Sequence, residues 1–343
     1  MTIRYPAPLR PGDRIGITAP SSGVPDDLRP RLNFCIDHLR QRGYQVVVGD
    51  CMDGTKAASA PAVSRADELT AMLIDPDIRA VVPPWGGELA VELLPHLDLT
   101  AVAASDPTWL VGYSDLSTML LPLTTVTGIA SVHAQNLMDT PYRIAEPLHS
   151  WLEVVALPTG ASFSQAAAAH HRSSGHDSWQ DTPTIDEYAL DTSGTWSLLD
   201  PAVGDVRASG RLIGGCIETV SVLAGTAYGD LRAFAADSAP EGLIVYVEAA
   251  ENGAFTIARD LWRMRLAGWF EHANAVLVGR TNAPGASGFS QLDAVRSALA
   301  DLNVPVVVDV DFGHVPPQLT LVNGALTDLI FAGSTKTITQ QLA

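Results

Sequence analysis

The sequence predicts an α/β protein in which helices cover both faces of a parallel sheet. Three observations predict it. Short apolar runs alternate with segments of helical period along most of the chain, the rhythm of consecutive β-α units. The 343 residues exceed the ~250–300 at which a single core stops growing, so two domains are expected. Hydrophobic residues make up 47% and charged residues 17%, which is enough apolar material for real cores and excludes global disorder.

Taken in order, Asp13–Ala19 reads as the first strand and Pro20-Ser21-Ser22-Gly23 as the turn after it. Leu28–Arg42 has a helical period, with Leu32, Ile36 and Leu39 on one face and Gly43 where a helix-ending glycine belongs. Gln45–Val48 is a strand, Ser64–Ile74 a helix, and Ala80–Val82 a strand stopped by Pro83-Pro84. Glu88–Leu94 is expected to be helical, Thr108–Val111 a strand and Leu116–Leu123 a helix. From Leu157 the texture changes. Pro158–Asp200 is rich in small and polar residues without a clear period, and reads as a mobile linker or a functional loop. Regular texture resumes at Gly210–Ile213, followed by a Gly-Gly turn and a helix around Glu218–Leu223. Gly242–Val247, Ala275–Val278, Val304–Val310 and Gln318–Val322 are strands; Thr256–Leu266 and Leu292–Leu299 are helices.

Composition also excludes partners. The net charge of −17 repels phosphate backbones and anionic membranes, so neither polymeric nucleic acid nor a membrane is expected. A small ligand in a pocket remains compatible. The three cysteines, Cys35, Cys51 and Cys216, are far apart and form no CxxC, which argues against a disulfide framework or a zinc site. No signal peptide and no run of ~20 apolar residues is read in the chain. The expectation is a soluble protein of the reducing cytoplasm.

Several constellations can carry chemistry. In Trp109-Leu110-Val111-Gly112-Tyr113-Ser114-Asp115 an apolar strand runs into Gly-x-Ser and a helix follows. A serine on such an elbow projects from the sheet, near backbone N–H groups able to hold an oxyanion; equally, Ser114 or Asp115 can cap the next helix. Leu116 stands where the hydrolase elbow has its second glycine. Pro83-Pro84-Trp85-Gly86-Gly87-Glu88 lies between strand and helix, and its glycines permit close backbone approach or an ordinary turn. Glu248 and His314 each follow a strongly apolar strand, where open α/β sheets bind ligands. Together they give the order nucleophile, acid, base. His170, His171 and His176 lack metal-ligand spacing. Asp309 and Asp311, two apart in a strand, would share one face.

Jointly these pieces resemble the LD-carboxypeptidase family of serine peptidases, which includes the microcin C immunity (MccF-like) branch. The resemblance runs through PLRPGDRIGITAPSS, the Gly86-Gly87 turn with LLPHLD, VGYSDLS, GRLIGGCIETVSVLAGT, IVYVEAAENGAFTIARDL and VVVDVDFGHVPPQLTLVNGA. It implies an N-terminal Rossmann-like or flavodoxin-like domain over residues 1–157, a connecting segment with an active-site loop over 158–203, and a smaller swivelling-type α/β domain over 204–343. It implies Ser114 as nucleophile, Glu248 as acid and His314 as base. The backbone N–H groups of Gly86, Gly87 and Asp115 would form the oxyanion hole, with no metal or organic cofactor and a homodimeric assembly. Murein-cleaving members usually carry Arg before the Gly-Gly turn and Tyr-Gly after it; this chain has Trp85, and Glu88-Leu89. The insertion with Trp179 and Trp196 is closer to the immunity branch, where a loop tryptophan stacks on the nucleobase of a peptidyl-nucleotide. That branch often has Lys where this chain has Asn252, and a second His after the base where this chain has Val315-Pro316-Pro317. Trp85, Glu88, Trp179 and Asn252 are the substrate-binding candidates.

Overall fold

The computed structural model describes residues 1–144 and 146–343. The strands are β1 (Arg14–Ile17), β2 (Gln45–Val48), β3 (Ile78–Val81), β4 (Trp109–Gly112), β5 (Ser131–His133), β6 (Ser162–Ala166), β7 (His170–His171), β8 (Thr192–Ser193), β9 (Ser197–Leu198), β10 (Val206–Cys216), β11 (Leu243–Glu248), β12 (Ala273–Gly279), β13 (Val306–Val310), β14 (Leu321–Asn323), β15 (Leu326–Ala332) and β16 (Thr335–Gln341). The helices are α1 (Arg29–Gln41), α2 (Ala62–Ile74), α3 (Leu99–Ala104), α4 (Ser117–Thr127), α5 (Trp151–Val155), α6 (Ile217–Val220), α7 (Leu231–Ser238), α8 (Ala254–Leu266) and α9 (Gln291–Leu299).

Two sheets organise the chain, as the α/β reading anticipates, though the later sheet, with eight strands to the first one's six, is not the smaller. The first has the order β14-β5-β4-β3-β1-β2, parallel except for β14. The second has the order β6-β16-β15-β10-β11-β12-β13-β9, with β10 to β13 parallel and antiparallel strands at both margins. In α1, Leu32, Cys35, Ile36 and Leu39 are buried at i, i+3, i+4, i+7 spacing. Every residue of β4 and β11 is buried, as expected of a parallel strand covered on both faces. Among the described residues, no helix is long and apolar enough to cross a membrane.

The halves are stitched together polar group by polar group. Tyr246 Oη donates to Asn323 Oδ1 at 2.9 Å, and Asn323 Nδ2 donates to Ser131 Oγ at 3.1 Å. β14, from late in the chain, pairs with β5 of the first sheet.

Four local expectations need correction. Glu88–Leu94 is not an α-helix; it holds one 3₁₀ turn, Ala90–Leu93. Asp115 Oδ2 takes the Ala90 N–H at 2.8 Å and pins the segment's start, leaving a single turn before Pro95. Gly214-Gly215 is no turn but lies inside β10. A Cβ at Gly214 would meet Tyr246 O at 1.8 Å, and one at Gly215 would meet Ser117 Cβ at 2.7 Å, so the glycines serve close packing. Pro158–Asp200 contains β6 to β9; β6 extends the second sheet beside β16 and β9 pairs with β13. These strands are two to five residues long, too short to show a period. Asp309 and Asp311 do not share a face: Asp309 has φ 59° and is exposed, and the β12–β13 register shifts there. Asp311 is buried against Arg280 and Trp196, whose Nε1 donates to it at 2.7 Å.

Candidate active site

Three strand ends converge. β4 ends at Gly112, where a Cβ would lie 2.3 Å from Leu116 Cδ1 and 2.7 Å from Asn136 Oδ1. The chain turns so sharply that Ser114 adopts φ 65°, a left-handed conformation that costs a non-glycine residue about 1–3 kcal/mol. A 3₁₀ turn (Ser114–Leu116) then leads into α4. Glu248 is the last residue of β11 and has no exposed surface. His314 lies on the loop after β13. Gly313 lets that loop descend onto Glu248, since a Cβ there would stand 2.5 Å from Glu248 Oε2.

The result is a hydrogen-bonded chain. Ser114 Oγ lies 2.9 Å from His314 Nε2, and His314 Nδ1 lies 2.9 Å from Glu248 Oε2. Burial works to raise the Glu248 carboxyl, but the charge and hydrogen bond of His314 prevail and hold it below its ordinary value. Burial likewise opposes a charged His314, yet Glu248, with Glu218 and Asp139 behind it, raises the imidazole above its ordinary value. Such an arrangement can draw a proton from the serine oxygen and stabilise the imidazolium that forms.

The Gly-Gly turn presses on the elbow. A Cβ at Gly86 would sit 2.9 Å from Ser114 Cβ and 3.0 Å from Asp115 N; one at Gly87 would meet Ser21 Oγ and Ser22 Oγ at 2.4 Å. Beyond the backbone and capping roles expected of Asp115, its side chain ties the segments together: Oδ2 accepts from Ser21 Oγ at 2.5 Å and from Ala90 N at 2.8 Å. Asn136 Oδ1 accepts the Tyr113 N–H at 3.1 Å. Glu218 Oε1 accepts the N–H groups of Ala250, Glu251 and Asn252 at 2.9, 3.0 and 3.1 Å, which shapes the loop after Glu248. Asp115 and Glu218 sit inside the quoted motifs, but the contacts that their carboxylates make are set only in space.

The substrate-binding candidates fall into two groups. Trp85 donates from Nε1 to Ser22 O at 3.0 Å and stacks on Trp179, ring centroids 6.4 Å apart. Trp179 is held by the buried Arg31, whose guanidinium lies 5.2 Å from the indole centroid. Its Nε1 donates to Tyr142 Oη at 3.0 Å, and that hydroxyl donates to Asp177 Oδ2 at 2.7 Å, where Arg172 also binds. Tyr113, Asp139, Tyr142, Trp179, Tyr188 and His314 line one cavity of about 270 Å³. Cavities of about 340 and 500 Å³ elsewhere include neither Ser114 nor His314 in their walls. On the other side, Glu88 is exposed, its carboxyl raised by partial burial and by Glu251, Asp115 and Glu218. Asn252 is held through its backbone, to Glu218 and from Gln291 Nε2 at 2.8 Å. His170 and His171 form β7 and His176 borders the cavity. Trp196 is fully buried, a core residue.

Comparison with known proteins gives consistent matches. The model of the LD-carboxypeptidase N-terminal domain matches residues 15–134, and that of the C-terminal domain matches residues 209–329. The microcin C7 self-immunity protein MccF of Escherichia coli is 23% identical over 357 residues, 98% of this chain and 95% of that one. The murein tetrapeptide carboxypeptidase of Pseudomonas aeruginosa is 24% identical over 311 residues, 88% of each chain. A structure of MccF in complex with glutamyl sulfamoyl guanosine superposes with a TM-score of 0.80 at 20% identity, covering 98% of both chains.

Proposed function

The chain belongs to the LD-carboxypeptidase family, and from that premise we propose that it is a serine-type amide hydrolase acting on aminoacyl- or peptidyl-nucleotide conjugates. The observation that carries the chemistry is the Ser114–His314–Glu248 chain at 2.9 Å per step. Ser114 Oγ attacks the scissile carbonyl while His314 takes its proton. Glu248 holds the imidazole in the tautomer with hydrogen on Nδ1. The oxyanion rests on the N–H groups of the Gly86-Gly87 turn and of Asp115, one such donor being worth about 2.7–4 kcal/mol. His314 protonates the leaving amine, and water then attacks the acyl-enzyme with His314 as base.

The cavity beside His314 supports the substrate class. Its walls combine the rings of Tyr113, Tyr142, Trp179 and Tyr188 with charged groups such as Asp139 and Arg172, and Trp179 is held by Arg31 and Tyr142, so a base can stack without the cost of ordering its platform. The test is product analysis by mass spectrometry, with Ser114→Ala as control. Release of an aminonucleoside from a peptidyl sulfamoyl adenosine supports the reading. Release of D-Ala from a murein tetrapeptide alone would replace it with the second reading, a murein tetrapeptide carboxypeptidase, which Asn252 in place of the lysine common in the immunity branch favours. The same reading includes a cytoplasmic homodimer, checked by cell fractionation and sedimentation velocity.

A further inference from the structure

Behind the serine, on the buried side of Glu248, stands a thiol with no part in the chemistry above. Cys216 closes β10 in register with Glu248 on β11 and is 1% exposed. Its sulfur, a ring nitrogen of His314 and a carboxylate oxygen of Glu248 all lie within 4.8 Å of one another. Glu248 Oε1, fully buried, makes no hydrogen bond to any described residue, while the S–H of Cys216 is directed at Glu218 instead. A buried carboxylate oxygen left without a strong donor is destabilising and is a vacant ligand position. Glu218 Oε2 lies 3.3 Å from the sulfur.

We propose that Cys216, Glu248 and His314 form an inhibitory site for a thiophilic divalent cation of the Zn²⁺ class, with Glu218 as the adjacent oxygen donor. A sulfur, nitrogen and oxygen set suits Zn²⁺ or Cd²⁺ and not Mg²⁺ or Ca²⁺, which take oxygen ligands. The Cys216 thiolate and the Glu248 carboxylate together neutralise the ion, and the one negative charge left over belongs to Glu218, which is only half-buried. Protons balance as well. The thiol gives its proton to solvent, and the His314 proton moves from Nδ1 to Nε2 so that Nδ1 can bind the ion. One proton is released per ion at a pH where the imidazole is already neutral, and a second wherever it is still protonated, so the proton count is read on the alkaline side of the His314 titration. The Nε2 lone pair is then no longer available to Ser114, and hydrolysis stops. That consequence rests on the proposed role of Ser114; binding does not. No sequence pattern announces the site, because its three ligands come from the ends of three elements.

The experiment titrates Cd²⁺ into the full chain and follows the thiolate-to-metal charge-transfer absorption together with proton release in weak buffer. One ion and one proton per chain are expected, equally in the wild type and in Ser114→Ala. Cys216→Ser and Cys216→Ala should each weaken binding about 100-fold or more. Hydrolysis by the wild type should fall in step with occupancy and return with a chelator. No absorption band, or a band unchanged in both Cys216 variants, overturns the site. Full hydrolysis at full occupancy overturns its inhibitory character. If the hydrolase reading itself fails, the band and the proton in Ser114→Ala still decide the metal site.

Discussion

The elbow at Ser114 and the insertion that carries Trp179 are built by opposite means. At the elbow, position comes from backbone. Buried parallel strands end together, and Gly86, Gly112 and Gly313 bring main chain to within a Cβ's width of its neighbour. Around Trp179, position comes from side chains: a buried guanidinium, a tyrosine hydroxyl and an Arg172–Asp177 pair at 2.7 Å. The difference teaches that the proposed chemistry and the proposed specificity can vary independently. Retuning the elbow means moving strands, whereas retuning the pocket means exchanging side chains on a loop.

Four measurements sharpen or break that contrast. Ser114→Ala should lower kcat by about 10⁴-fold or more with the melting temperature nearly unchanged; substantial residual turnover would remove Ser114 from the mechanism. Gly86→Ala, which drives a methyl group against Ser114 Cβ and Asp115 N, should cost about 10²-fold in kcat through displacement of the elbow. A wild-type rate in that variant would show that backbone proximity is not what sets the geometry. Trp179→Ala should raise KM for nucleotide conjugates by the worth of one stacked base, about 1–3 kcal/mol, and leave kcat alone; Asp177→Asn, which only loosens the support, should give a smaller rise in the same direction. A fall in kcat for either would couple the regions that the contrast separates.

The smallest effect is on stability. Burial pushes the Asp139 carboxyl up from 3.8 to about 6. A carboxyl raised in the folded state binds its proton more tightly there than in the unfolded chain. Its contribution is therefore most favourable below about 3.8, is lost as the pH climbs to about 6, and is constant above. Asp139→Asn should raise the melting temperature at pH 8 by more than at pH 4.5, with at most about 3 kcal/mol at stake. Equal shifts at both pH values would mean that the carboxyl titrates normally.

How far the sequence reached follows the same division. Ser114, Glu248 and His314 are legible because each stands at or just beyond the end of a short apolar strand, and strand ends are local features. The Asp115 carboxylate, Glu218 and Cys216 are not, because their partners Ser21, Ala250 to Asn252 and Glu248 are brought to them only by the fold. The insertion was opaque for another reason. Its strands are two to five residues long; β6 and β9 take their register from β16 and β13, and β7 and β8 pair only with each other, so periodicity has nothing to act on. Gly214-Gly215 misled because a glycine pair signals a turn locally, while here it answers to Tyr246 and Ser117 on neighbouring elements.

The loop bearing His314 is anchored at one end by β13 in the second sheet and at the other by β14 in the first. The imidazole is therefore suspended between two sheets like a bridge between two piers, and its distance from Ser114 registers any displacement of one sheet against the other.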